Sequence, residues 1–175
     1  MRIISGKYRS KRIKAPKSIK ARPTTDFAKE SLFNIISNKY DLEQVQVLDL
    51  FSGTGNISYE FGSRGAQNIL AVDIAHSSQK FISEMADEMG LPIQSVKANV
   101  FHFLSKHTGT YDIIFADPPY FHKDVSLIPQ LIYGRKLLKP KGILIVEHDK
   151  QIDFSKEERF LELRKYGKVN FSFFE

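Results

Sequence analysis

Val45-Gln46-Val47-Leu48-Asp49-Leu50-Phe51-Ser52-Gly53-Thr54-Gly55 runs from an apolar strand through an acid into a Gly-x-Gly turn. A buried strand followed by such a turn and a helix is how α/β proteins bring backbone N–H groups up to a ligand. A dinucleotide fingerprint would want a third glycine at position 58, where this chain has Ser58. The phosphate-cradling pattern Gly-x-x-x-x-Gly-Lys-Ser/Thr is absent too. A second acidic strand end, Ile69-Leu70-Ala71-Val72-Asp73, closes eighteen residues after Gly55. A carboxylate at about that spacing is expected to hold the two ribose hydroxyls of an adenosine.

A third apolar run, Ile113-Ile114-Phe115-Ala116, ends in Asp117-Pro118-Pro119-Tyr120. Proline fixes its own φ and pushes the preceding residue into extended geometry, so the Asp117 carboxylate and the Pro118 carbonyl can both point outward as acceptors. Tyr120 adds a flat face for a base, a contact worth roughly 1–3 kcal/mol. Together these groups suit the grip of a planar amino group.

Periodicity places these motifs. Thr24, Thr25 or Asp26 can cap a helix running to about Asn38, with Ala28, Leu32, Ile35 and Ile36 as its stripe. Strands are expected near 45–50, 68–73, 93–97, 111–116 and 143–147. Helices are expected near 56–64, 77–89 (stopped by Gly90) and 124–138, the last leading through Pro140-Lys141-Gly142 to the fifth strand, with a short helix after the third strand carrying Phe101, Phe103 and Leu104. The tail, about 158–164 and 168–174, alternates as a hairpin around Gly167. This α/β alternation implies a Rossmann-like, mainly parallel sheet with helices on both faces and ligands at the strands' carboxyl ends.

In order and spacing these motifs resemble the class I S-adenosylmethionine-dependent methyltransferases that methylate amino groups. More narrowly, the chain resembles the RsmD-type enzymes, which methylate the exocyclic N2 of one guanine in small-subunit (16S) ribosomal RNA. The resemblance extends to Arg2-Ile3-Ile4-Ser5-Gly6, Tyr8-Arg9, Arg22-Pro23-Thr24-Thr25-Asp26, Glu30-Ser31-Leu32-Phe33-Asn34 and Arg64-Gly65-Ala66. The chain departs at Asn56-Ile57-Ser58-Tyr59, where small and leucine residues are usual, and at Phe27, where a basic residue is common.

The resemblance implies that the tail adds a reversed strand to the sheet, and it implies roles. Asp117, Pro118 and Tyr120 are the expected catalytic set. Gly53 and Gly55 would let the backbone approach the methionine part of S-adenosylmethionine, with Asp49 near its amino group and Phe51 in the same loop. Asp73 would hold the ribose, Ile74 would pack on adenine, and Asn99 with Val100 or Phe101 would meet the ring. Asn99 can equally be a helix N-cap. Arg22 has a phosphate or substrate-loop role, or caps or salt-bridges.

Charge is segregated. Residues 1–22 hold Arg2, Lys7, Arg9, Lys11, Arg12, Lys14, Lys17, Lys20 and Arg22 and no acid, leaving 17 bases against 20 acids in residues 23–175. Such a run is commonly a solvated face. With Tyr8 and isoleucines interleaved, it is expected to be an RNA-binding arm, a short hairpin resting on a methyltransferase domain of residues 23–175. Arg2, Lys7, Arg9, Lys11, Arg12 and Arg22 are its expected RNA contacts.

The 175 residues suit one domain with a full core. Cysteine is absent, which removes disulfides, zinc–thiolate sites, iron–sulfur clusters and any cysteine-nucleophile route to C5 methylation. The five histidines are scattered without ligand spacing, so no metal is expected; Glu147-His148-Asp149 at a strand end reads as loop chemistry. No stretch approaches the roughly 20 apolar residues of a membrane span, and Met1-Arg2-Ile3-Ile4 is not a signal peptide, so a cytoplasmic monomer is expected. Its partner would be ribosomal RNA, naked or in the assembled small subunit. Two rivals are a DNA adenine-N6 or cytosine-N4 methyltransferase using the same grip, and a noncatalytic RNA-binding module. The RNA-type opening segment counts against the first, and the intact Gly53, Gly55, Asp73 and Asp117 against the second.

Overall fold

The computed structural model of the protein describes residues 1–19, 24–120 and 122–175. In chain order the elements are α1 (Asp26–Lys39), β1 (Gln46–Leu50), α2 (Asn56–Ser63), β2 (Asn68–Asp73), α3 (His76–Met89), β3 (Ile93–Lys97), α4 (Val100–Lys106), β4 (Tyr111–Ala116), α5 (Leu127–Gly134), β5 (Leu138–His148), β6 (Phe160–Tyr166) and β7 (Val169–Phe174). One sheet of seven strands, ordered β3-β2-β1-β4-β5-β7-β6, runs through the molecule. Strands β1 to β5 pair in parallel, and β7 lies antiparallel to both β5 and β6.

Alternate residues of a strand face opposite sides, so a sheet covered on both faces needs apolar residues in both sets. Val47, Ile113, Phe115, Ile145 and Phe171 pack on one face with Leu32, Phe33 and Ile36 of α1, Ile57 and Phe61 of α2 and Phe81 and Ile82 of α3. Leu48, Leu50, Ile114, Leu144 and Val146 pack on the other with Leu104 of α4 and Ile128 and Ile132 of α5. The reversed tail strand expected from the resemblance is present as β7.

The largest differences from the sequence expectation lie around α5 and β5, and β6 sits two residues later, at Phe160–Tyr166 rather than about 158–164. Helix α5 covers Leu127–Gly134 rather than 124–138, because Lys136 takes a left-handed φ of 54° and the Leu137 N–H turns back to the Ile132 carbonyl. The chain is therefore already extended at Leu138, which pairs with Tyr111. Pro140-Lys141-Gly142 lies inside β5 rather than before it, at an irregularity where Lys141 has φ 65°. A bulge absorbs the proline that a regular central strand would reject.

The first nineteen residues pack as a hairpin. Arg2 bridges Arg12 antiparallel, and Ile3 and Ile13 enter the core at 1% and 4% exposure. Glu60 of α2 accepts the N–H groups of Ile4 and Ser5, Ser63 takes those of Lys7 and Tyr8, and the Tyr8 hydroxyl donates to the Met89 carbonyl. No helix among the described residues is long and apolar enough to cross a membrane.

Candidate active site

The turns after β1, β2, β3 and β4 open onto one cleft of about 680 Å³ at the carboxyl edge of the sheet. Parallel strands all present that edge together, so residues far apart in sequence converge there. Asp49, Phe51, Gly53, Asp73, Ile74, Asn99, Val100, Asp117, Pro118 and Tyr120 all line it.

Asp49 is buried at the floor, where its Oδ2 accepts the Ser58 N–H at 3.1 Å and the Ser58 hydroxyl at 2.5 Å. Burial pushes its carboxyl up to about 7, against the lowering by Ser58 and reinforced by the nearby Asp73. A buried carboxylate so placed favours a cation as partner. Asp73 holds the glycine loop in place, with Oδ2 accepting from the Gly53 N–H and Oδ1 from the Ala75 N–H, both at 2.8 Å. Each oxygen retains a lone pair, enough for a cis-diol. Ile74 beside it is 63% exposed. Asn99 caps α4 through its Oδ1, which accepts the His102 N–H at 3.0 Å, and keeps its amide N–H₂ as a donor.

The opposite wall begins where the Asp117 N–H donates to the Leu50 carbonyl at 3.3 Å, setting the DPPY turn beside the β1 loop. Phe51, held at a φ of 58°, faces Phe101 and His122, and those two rings stack with centroids 4.8 Å apart. A non-glycine residue at such a φ is uncommon and marks a loop fixed by its surroundings.

The cleft thus offers a cation-seeking carboxylate, a diol-seeking carboxylate, an exposed apolar side chain and an acceptor-rich turn. These acceptors and walls fit S-adenosylmethionine: Asp49 would take an ammonium, Asp73 the ribose hydroxyls and Ile74 a ring. Ser52 also lines the cleft, and its buried hydroxyl has no partner among the described residues.

The whole chain, residues 1–175, matches the family described as conserved hypothetical protein 95. It belongs to this family, the RsmD family of methyltransferases. The Escherichia coli (strain K12) ribosomal RNA small subunit methyltransferase D is 32% identical over 150 residues, 85% of this chain and 75% of that one. Among solved structures, a hypothetical protein of Thermus thermophilus superimposes with a TM-score of 0.88 at 24% identity, over 100% of this chain and 99% of that one. The T. thermophilus 16S rRNA N2 G1207 methyltransferase, solved with AdoMet and guanosine, superimposes with a TM-score of 0.68 at 20% identity, over 87% of this chain and 43% of that one. The sheet order and reversed β7 are those of the class I methyltransferase fold.

Within this RsmD-family cleft, Gly55 is the one expected cofactor residue that does not line the wall. At φ 78° it opens α2, and a Cβ there would lie 2.8 Å from Tyr59 Cζ and 2.9 Å from Ile82 Cγ1. Its demand for glycine is one of packing and backbone. Of the expected RNA contacts, Arg2, Lys7, Arg9 and Arg12 are exposed on the N-terminal hairpin, Arg2 pairing with Asp26 and Lys11 with Glu88. Arg22 lies outside the described residues. His148 is a buried structural residue: Nδ1 donates to the Asp149 carbonyl, Nε2 accepts from the Ser172 hydroxyl, and burial lowers its pKa. Glu147 accepts from Thr24 Oγ1 at 3.1 Å, tying the entry to α1 to the end of β5.

Sequence reasoning set His122 aside with the other scattered histidines and read Asn56 only as a departure from the family pattern; both line the cleft. It also passed over Lys29, whose buried ammonium holds Asn56 Oδ1 at 2.8 Å. A lysine inside the apolar stripe of α1, next to Ala28, was the available signal.

Proposed function

We propose that the protein transfers the methyl group of S-adenosylmethionine to the exocyclic N2 of a guanine in small-subunit ribosomal RNA. The observation that carries this reading is the DPPY turn hydrogen-bonded to the end of β1 across the cleft from Asp73, so that amine grip and adenosine-binding groups share one cavity.

Asp49, Gly53, Asp73, Ile74, Asn99 and Val100 would hold S-adenosylmethionine, which supplies a methyl already activated on sulfonium sulfur. Orientation of two reactants in one site is worth up to roughly 7–11 kcal/mol of barrier. Guanine N2 is a weak nucleophile because its lone pair is delocalised into the ring. Asp117 and the Pro118 carbonyl would accept its two N–H bonds, fix its direction and favour the localised lone pair. The Asp117 carboxylate would stabilise the positive charge that develops on nitrogen, an electrostatic role worth about 3–4 kcal/mol, and N2 gives up one of its two protons as it gains the methyl. Tyr120 would stack on a guanine turned out of its RNA context. The exposed bases of the N-terminal hairpin would hold phosphates.

Methyl transfer from labelled S-adenosylmethionine to small ribosomal subunits lacking this modification, followed by nucleoside analysis, tests the reading. A single N2-methylguanosine supports it. Label on adenine N6 or cytosine N4 would keep the amine grip and overturn the target, and no transfer to subunits, naked RNA or DNA would favour a binding module.

A further inference from the structure

Phe27 stands in the first turn of α1 with 67% of its surface exposed. Its ring meets Tyr166 nearly edge-on, the planes at 76° and the centroids 5.9 Å apart. Tyr166 ends β6 and Val169 begins β7, so Lys165-Tyr166-Gly167-Lys168 is the tip of the C-terminal hairpin, and both lysines are exposed. A single apolar side chain at a surface calls for no explanation. This one is paired with a second aromatic, joined to a tip carrying two cations, and three residues from Thr24, which lines the cleft. The neighbouring acid, Asp26, is taken up by Arg2 of the N-terminal hairpin at 3.0 Å. Asp26 is therefore offset by Arg2, and the cations joined to the ring pair are those of the C-terminal hairpin tip.

We propose that Phe27 and Tyr166, with Lys165 and Lys168, form a docking platform for a single-stranded stretch of RNA. One unstacked base lies on the Phe27 ring, and the adjoining phosphates lie on the two lysines. The platform rests on the ribosomal-RNA reading and adds to it a surface outside the cleft. Exposed aromatic rings beside cations are the chemistry of single-strand binding, because every base has a face to stack and every linkage a charge. A duplex keeps its bases stacked on each other. An acidic protein surface would satisfy the lysines and leave the ring without a planar counterpart.

The test is fluorescence anisotropy of the full chain with a fluorescein-labelled single-stranded RNA of about 12 nucleotides, a length typical of such sites. Phe27→Ala and Phe27→Leu are expected to raise Kd by roughly 5- to 150-fold, with Phe27→Trp binding at least as well as the native chain. Lys165→Ala with Lys168→Ala is expected to reduce the slope of log K against log salt by about 1.4. The platform is overturned if Phe27→Leu binds like the native chain, or if the native chain does not bind the RNA. The assay reads no methyl transfer, so its failure leaves the proposed reaction standing. Loss of that reaction with intact binding would remove the enzyme reading alone.

Discussion

Lys29 and Glu60 form an ion pair 3.2 Å long whose side chains are 1% and 0% exposed. Lys29 also donates to the Arg2 carbonyl at 2.6 Å and to Asn56 Oδ1, while Glu60 accepts from Arg64 Nε at 2.9 Å and from the Ile4 and Ser5 N–H groups. The N-terminal hairpin, α1, α2 and the cleft thus meet at one buried charge pair. Burial draws the Lys29 ammonium below its usual pKa, an effect that Glu60 opposes. Removing Lys29 leaves Glu60 buried with only the Arg64 guanidinium to offset its charge, and leaves the Arg2 carbonyl and Asn56 Oδ1 without their donor. Lys29→Ala is expected to cost about 3–5 kcal/mol, measured by urea unfolding. A loss no larger than that of an exposed pair, about 1 kcal/mol or less, would show that the pair carries no such weight.

Asp117→Ala should leave affinity for S-adenosylhomocysteine unchanged and lower turnover by about 10²–10³-fold. Near-native turnover on the acceptor RNA would remove Asp117 from the amine grip.

With the Asp49 carboxyl raised from 3.8 to about 7, binding of S-adenosylmethionine at this site is expected to depend on pH. A raised carboxyl holds its proton in the folded, ligand-free protein, so its contribution to stability is full below the unfolded pKa and is lost as pH rises through about 7. An ammonium ligand prefers the ionised form. Affinity for S-adenosylhomocysteine should therefore climb by up to about tenfold per pH unit below 7 and level off above it, with proton release visible in titration calorimetry. Asp49→Asn should flatten the profile; a native chain with no slope would place the carboxyl's titration elsewhere.

Gly6 has a φ of 83°, and a Cβ added to it would overlap the Ser63 carbonyl that receives the Lys7 N–H. Gly6→Ala is expected to detach the hairpin from α2, costing more than about 1 kcal/mol and exposing residues 1–19 to limited proteolysis. Native-like protease resistance would mean that the hairpin seats without this contact.

Local pattern exposed most of the architecture. Strands β3 and β4 begin and end where alternation placed them, and the Gly90 stop of α3 adopts the left-handed φ of 56° that a helix end requires. The α5–β5 junction escaped because an apolar helix and an apolar strand look alike in sequence. What separates them is the left-handed turn at Lys136, a residue with no preference for it.

Ser58 makes the same point at the site. In sequence it was a missing glycine, and in three dimensions its hydroxyl holds Asp49 at 2.5 Å. The sequence alone determined the acids and glycines at strand ends, because strand period, turn chemistry and the proline restriction act between neighbours in the chain. Tertiary structure alone decided that Lys29 would be buried on Glu60, that the basic N-terminal segment would be anchored to α2, and that Phe27 would meet Tyr166. Those outcomes are set by which distant surfaces pack together and which charges must then find partners away from water, and no spacing along the chain encodes that.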